Sequence, residues 1–454
     1  MLALVIVVLL GLLAASIMER RWEAQRPSLV LKPIPQWEPD NRTWGQNYPR
    51  EYETYLRNRI TDTKTTYGGA FKRDYLAEDP RMIILWSGYP FSKDYTQARG
   101  HYYSLADINA TKRTGPTTLG TCWTCKSTNV LRLMSEMGVA NFYKTPFADL
   151  RSQIQHPIGC QDCHDPATMN LRITRPALRD AFTAMGRDID QATHQEMRSL
   201  VCAHCHVEYY FRDKHYLTFP WPQGLSPDAM LDYYEKQNFS DFTHAISGTP
   251  IIKVQHPDYE LYTTGIHAFR GVSCADCHMP YITQGGVKFT NHHVQSPLLN
   301  ISNSCSVCHR WSEDEVRSRV TAIQNKVAQT KLLAEDALVH AHFDVAAARV
   351  AGVADAALAP ARRLIRQGQF RWDYVSSSNG MGFHSPQESE RVLADAINQA
   401  QEARLLLARL LAQKGVTAET PYPDISTREK ADAVNKSFGP QKPIELPAAE
   451  KKIP

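Results

Sequence analysis

A mainly α-helical chain with little β-structure, its core filled in large part by bound groups, follows from three features of the sequence. Ten cysteines fall into five Cys-x-x-Cys pairs, all between residues 122 and 309. Over that region short helical patterns alternate with turns, and no run of alternating strands interrupts them. After residue 311 the chain turns to long stretches with apolar residues at helical spacing. With 454 residues and 43% apolar content it can bury a large core, and length alone would allow two or three domains.

Four pairs run directly into histidine: Cys160-Gln161-Asp162-Cys163-His164, Cys202-Ala203-His204-Cys205-His206, Cys274-Ala275-Asp276-Cys277-His278 and Cys305-Ser306-Val307-Cys308-His309. The first, Cys122-Trp123-Thr124-Cys125-Lys126, ends in lysine. Two thiols at this spacing can add across the vinyl groups of a haem, and the next residue reaches iron from the same side. Structural zinc and a disulfide scaffold are the rivals, but neither needs histidine directly after the second cysteine. The expectation is five covalent c-type haems, hence a multihaem cytochrome c with a haem-filled core. At about 38 residues per haem, the macrocycles must lie close together. The formal charge of +4 is offset on assembly, since five haems bring about ten propionates against about five ferric-porphyrin charges. That excludes the strongly basic surface of a nucleic-acid-binding protein.

Lysine sets one site apart. An iron with histidine on both faces only passes electrons, whereas an amine can ligate from one face once it has lost its proton. The site of Lys126 is then the reacting haem among four relays. The alternative is a surface Lys126 beside a haem ligated from elsewhere.

In chain order, residues 1–22 begin with the apolar run MLALVIVVLLGLLAASI, which closes on the small residues Ala14, Ala15 and Ser16, the pattern of an export signal. The run lacks a basic start and is short for a span, so a retained membrane anchor is the alternative. Export fits covalent haem attachment outside the cytoplasm, which implies a periplasmic protein. Residues 23–60 are Pro- and Trp-rich and read as an extended arm into a core over 23–310. Residues 311–415 read as long helices that complete the core and form a dimer seam. Ser312 and Glu315 make a capping box, and Val316, Val320, Ile323 and Val327 form a helix stripe toward His342. An Ala-rich stretch covers 345–365. Ser385-Pro386-Gln387-Glu388 opens a further helix through Val392, Leu393, Ile397 and Leu405–Leu411 to Lys414-Gly415. The tail, 416–454, reads as irregular.

The chain resembles the pentahaem cytochrome c nitrite reductases, which form ammonia. The resemblance rests on the Cys-x-x-Cys-Lys site with four Cys-x-x-Cys-His sites, on Arg-Gly-His at 99–101 and Arg-Thr-Gly at 113–115, and on the run Cys202–Phe211. It continues through Lys253–Pro257, Gly265–His267, Phe289–His292, Arg371–Asp373 and Phe383–Pro386, covering roughly residues 40 to 415. It implies six-electron reduction of nitrite to ammonium, with Lys126 as proximal ligand and Arg113, Tyr209 and His256 around the open face. A guanidinium attracts a small anion, and histidine and tyrosine can donate to its oxygens. It further implies Ca2+ held by Glu208 and Gln255 side chains with Tyr209 and Lys253 through their carbonyls, since calcium takes oxygen ligands. The distal ligands it assigns are His292 to the second haem, His101 to the third, His384 to the fourth and His267 to the fifth, with His293 competing with His292. His156, His194, His204, His215, His244, His340 and His342 read as structural or exposed. The implied partners are nitrite, a second copy of the chain, and a multihaem electron donor, either a membrane quinol dehydrogenase or a soluble cytochrome. A pure electron carrier, and an enzyme acting mainly on sulfite or hydroxylamine, are the competing readings.

Overall fold

The computed structural model describes residues 2–24 and 31–439. Helix α1 (Leu2–Ala24) leaves its side chains over residues 5–18 exposed. Among the described residues no helix is long and apolar enough to cross a membrane. Of the arm expected over 23–60, residues 25–30 lie outside the described residues, and from 41 onward it is not extended. The Asp40 carboxylate accepts from the Arg42 backbone N–H to cap Asn41–Gly45, and Pro49, with φ preset for a helix, opens Pro49–Leu56. Both helices are too short for periodicity to reveal.

From there to residue 310 the chain is a succession of loops and helices of at most ten residues. Three small antiparallel pairs punctuate it: β1 (Tyr210–Arg212) with β2 (Tyr216–Thr218), β3 (Phe242–Thr243) with β4 (Pro250–Ile251), and β5 (Tyr281–Gln284) with β6 (Val287–Thr290). Such short elements suit a chain that wraps other groups rather than packing a sheet on itself.

Three long helices follow: α2 (Glu313–Val350), α3 (Asp355–Ser376) and α4 (Pro386–Gln413). The capping box at the start of α2 is formed, with Ser312 accepting from the Glu315 N–H and the Glu315 carboxylate accepting from that of Ser312 at 2.8 Å. At 38 residues and a rise of about 1.5 Å per residue, α2 runs most of the length of a domain. Gly352, with φ +77°, supplies the left-handed turn that ends it, so the Ala-rich stretch is shared between α2 and α3. Ala341, Val345, Leu358, Ile365, Leu407 and Leu411 pack the three helices together. Val327, Leu338, Phe370, Val392 and Leu393 join them to the main core. Within the tail, expected to be irregular, Arg428–Ser437 forms α5, capped by Thr427. It docks by a hydrogen bond from Ser87 to Asn435 (2.6 Å) and an ion pair between Arg428 and Asp74. Residues 440–454 lie outside the described residues.

The first two cysteine turns are tied by one buried cation. Arg175 donates to the carbonyls of Thr124 (2.9 Å) and Ser127 (3.4 Å), on either side of Lys126, and to the Asp162 carboxylate (2.5 Å) inside the second turn. Both partners of the ion pair are buried. Removing one leaves the other uncompensated. Arg175→Met should lower the denaturation midpoint of the haem-loaded protein by the equivalent of about 3–5 kcal/mol. An unchanged midpoint would show that the pair does not hold the turns together.

Candidate active site

The turn carrying Lys126 is fixed from several directions. Trp123 is fully buried, stacks on Phe147 at 3.8 Å and donates its indole N–H to the Phe147 carbonyl. Gly120 lies so close to the neighbouring strand of chain that a Cβ would sit 2.4 Å from the Phe142 carbonyl oxygen. Ser104 donates to the Lys126 carbonyl at 2.7 Å. A rigid turn therefore presents the half-buried Lys126 side chain.

The residues expected around it are brought together. Lys126 lies within electrostatic reach of Cys122, Cys125, His101 and His256. Burial, with Lys126 next, pushes the His256 imidazole down to about 3 against the pull of Asp258. Arg113 faces Cys122 and packs its guanidinium over the Phe91 ring at 4.3 Å, with Nε donating to Thr111 at 3.1 Å. Burial holds the Tyr209 phenol well above its ordinary value, with Cys125 and Cys122 adding to the shift. Three cationic or hydrogen-bonding side chains thus converge on the Cys122–Lys126 motif, Arg113 and Tyr209 at its thiols and His256 at Lys126.

The other motifs are surrounded differently. Ring centroids of His164 and His292 are 6.1 Å apart, those of His278 and His384 6.2 Å, and those of His267 and His309 6.3 Å. Two metal–nitrogen bonds of about 2.0 Å each, with half a ring at either end, span such a separation, so these pairs fit an iron between them. His292, not His293, is the ring that faces His164. His101 and His206 act on one another electrostatically. The cysteines also lie beside one another across motifs: Cys125 by Cys205, Cys202 by Cys274, Cys277 by Cys305 and Cys163 by Cys205. The order in space is first, third, fourth, fifth, with the second branching from the third. Of the histidines read as structural, His204 accepts from the Thr174 N–H at 3.0 Å, and His244 stacks on His342 at 3.6 Å in the core.

Behind His256 lies a buried acidic group. Glu208 accepts from the Gln255 backbone N–H (2.6 Å) and the Tyr234 hydroxyl (2.8 Å), and burial raises it well above the usual carboxyl range. The Gln255 side-chain amide meets the Lys253 carbonyl at 2.9 Å, and amide rotation would present its oxygen instead. The Lys253 ammonium is committed elsewhere, to Asp373 at 2.9 Å. Among the described residues no group of three or more His, Cys, Asp or Glu side chains could hold a metal ion. A cation here would therefore rely on carbonyl and amide oxygens beside the one carboxylate, a donor set that suits calcium. Sequence reasoning missed Arg175, Asp258, Glu260 and Asp373, whose roles depend on partners far away in the chain. The nearest signal was an acid two residues after His256.

A family profile for cytochrome c552 matches residues 40–451. Among curated relatives, the cytochrome c-552 of Bacteroides fragilis is 48% identical over 441 residues, covering 94% of this chain and 89% of its own. That of Desulfotalea psychrophila is 42% identical over 447 residues, covering 94% and 86%. Among solved structures, the catalytic subunit of cytochrome c nitrite reductase from Desulfovibrio desulfuricans, which has two calcium sites, superposes with a TM-score of 0.80 at 31% identity, covering 87% of this chain and 91% of its own.

Glu260 offers a test of the buried acidic group. Its Oε1 accepts from the Glu208 N–H and the Trp221 indole, both at 2.8 Å, while Oε2 has no partner. Burial raises it from 4.5 to about 8, so the folded protein keeps a proton that the unfolded chain has released. The stability it contributes is intact below its ordinary value and is lost as pH rises through about 8. Melting temperature should fall between pH 6 and 8, and Glu260→Gln should make that fall shallower. Equal slopes in the two proteins would contradict the assignment.

Proposed function

The chain belongs to the cytochrome c552 family, and on that premise we propose that it reduces nitrite to ammonium at a c-type haem held by Lys126, with four bis-histidine haems relaying electrons. The observation that carries this reading is the contrast between motifs. Three motif histidines each face a second histidine at iron-bridging separation. Lys126 is instead accompanied by Arg113, Tyr209 and His256.

Covalent haem held by the five cysteine pairs would supply electron transfer and, at Lys126, an iron able to bind nitrite. The protein's own groups do the rest. Lys126 can ligate only through the lone pair of a neutral amine. Arg113 draws in the anion and can bond its oxygens. With its pKa near 3, His256 is neutral at working pH, donates a ring N–H to a nitrite oxygen, and takes up charge only as negative charge develops beside it. Tyr209 keeps its proton and is a second donor. Complete reduction takes six electrons and eight protons and yields ammonium and two waters, so the thiol-to-thiol order of motifs supports repeated refilling of one site.

Glu208, the Gln255 amide and the carbonyls of Tyr209 and Lys253 would hold Ca2+, which would compensate the buried Glu208 charge and stiffen the segment that carries His256. We place the protein in the periplasm, with residues 1–22 as an export segment. Its donor would be a multihaem cytochrome, either a membrane quinol dehydrogenase or a soluble carrier. Leu332 and Leu333 on α2 and Leu405 on α4 are exposed, which supports a homodimer seam along these helices.

Purified haem-loaded protein given nitrite and a reducing dye should form one ammonium per nitrite consumed, and a nitrogen oxide as end product would overturn the reading. Lys126→His should lower turnover with all five haems still attached by mass, and undiminished turnover would count against lysine. For His256→Asn the expected loss is roughly 10²–10⁴-fold, with haem spectra preserved. A rate equal to that of the parent protein would remove His256 from the site.

A further inference from the structure

His206, which follows the third cysteine pair, differs from the other motif histidines in what its second ring nitrogen touches. His164 Nδ1 meets the Met169 carbonyl at 2.8 Å, and His278 Nδ1 that of Gln295 at 2.9 Å. On the distal side, His292 Nδ1 meets the Thr290 carbonyl at 2.8 Å. These acceptors are neutral. His206 Nδ1 instead lies 3.0 Å from the Asp258 carboxylate, an acceptor only, so the ring donates from Nδ1 and keeps Nε2 for a metal.

The carboxylate is built into place. Asn379 donates its backbone N–H to Oδ1 at 2.5 Å and its side-chain amide to Oδ2 at 2.8 Å. The Tyr259 N–H donates to the His206 carbonyl at 3.0 Å, so adjacent residues grip both ends of His206. Asp258 is buried, and it also lies within electrostatic reach of His384 and His256.

We propose that Asp258 is a positioning residue that lowers the reduction potential of the haem held by His206. The inference rests on the reading of His206 as a haem ligand. The hydrogen bond from Nδ1–H to a charged acceptor is stronger when the iron is ferric, because oxidation makes the imidazole N–H more acidic. It thereby raises ligand basicity and stabilises the oxidised state. Cys205 lies beside Cys125, which puts this site next to that of Lys126. A relay made reluctant to hold an electron at this place hands it on to the reacting haem.

Potentiometric titration of the pentahaem protein, followed by visible and paramagnetic resonance spectra, tests this. In Asp258→Asn the midpoint of one low-spin haem should move upward, with altered g-values for that species, and any movement of the others should be smaller. Asp258→Glu, which keeps the charge, should return the midpoint toward the parent value. Asn379→Ala removes a competing donor from the carboxylate and should move the same midpoint downward. Peptide mass at Cys202 and Cys205 separates the two ideas: absence of haem there defeats the ligand reading itself. With haem present, unmoved midpoints in Asp258→Asn overturn the role of Asp258. Should that variant fail to mature, Asn379→Ala decides, an unchanged or raised midpoint overturning the proposal.

Discussion

Five cysteine turns must meet edge to edge, and that requirement shapes the fold. Cys125 lies beside Cys205, and Cys202 beside Cys274. Turns packed this closely leave no room between them for long helices or a sheet, which is why the region up to residue 310 is built from short elements. The long helices α2, α3 and α4 come afterward and provide what the short elements lack, a continuous apolar seam. Rigidity at the turns themselves comes from buried polar contacts, with Arg175 reaching from Asp162 to the carbonyls beside Lys126.

The segment Lys253–Asp258 concentrates the chemistry. Lys253 pairs with Asp373 on α3, Gln255 meets Glu208, His256 approaches Lys126, and Asp258 holds His206. Six consecutive residues therefore connect the long-helix scaffold, the candidate cation site, the candidate substrate face and the proposed neighbouring relay. Burying several charges together is costly unless each is matched. Here the matching partners come from the same elements that position the site.

The parts legible in the sequence were those with local signals. Attachment motifs, the Ser312 capping box, Pro386 at the start of α4 and Gly415 at its end are read from neighbours in the chain. Pairings such as His164 with His292 were accessible only through family resemblance, since more than a hundred residues separate them. Helices over Asn41–Gly45, Pro49–Leu56 and Arg428–Ser437 escaped because one to three turns carry too little periodicity. The partnership of Asp258 with His206 was invisible for a different reason. An acid's role depends on which ring lies opposite, and that is a property of the packed chain.

The proposed reaction requires one iron with an open face above Lys126. Paramagnetic resonance of the oxidised, nitrite-free protein tests this directly, because an iron with a weak or absent sixth ligand is high-spin while bis-histidine irons are low-spin. One high-spin haem among four low-spin haems is the predicted result. Five low-spin haems, with a side chain of this protein bound opposite Lys126, would contradict it and leave an electron carrier.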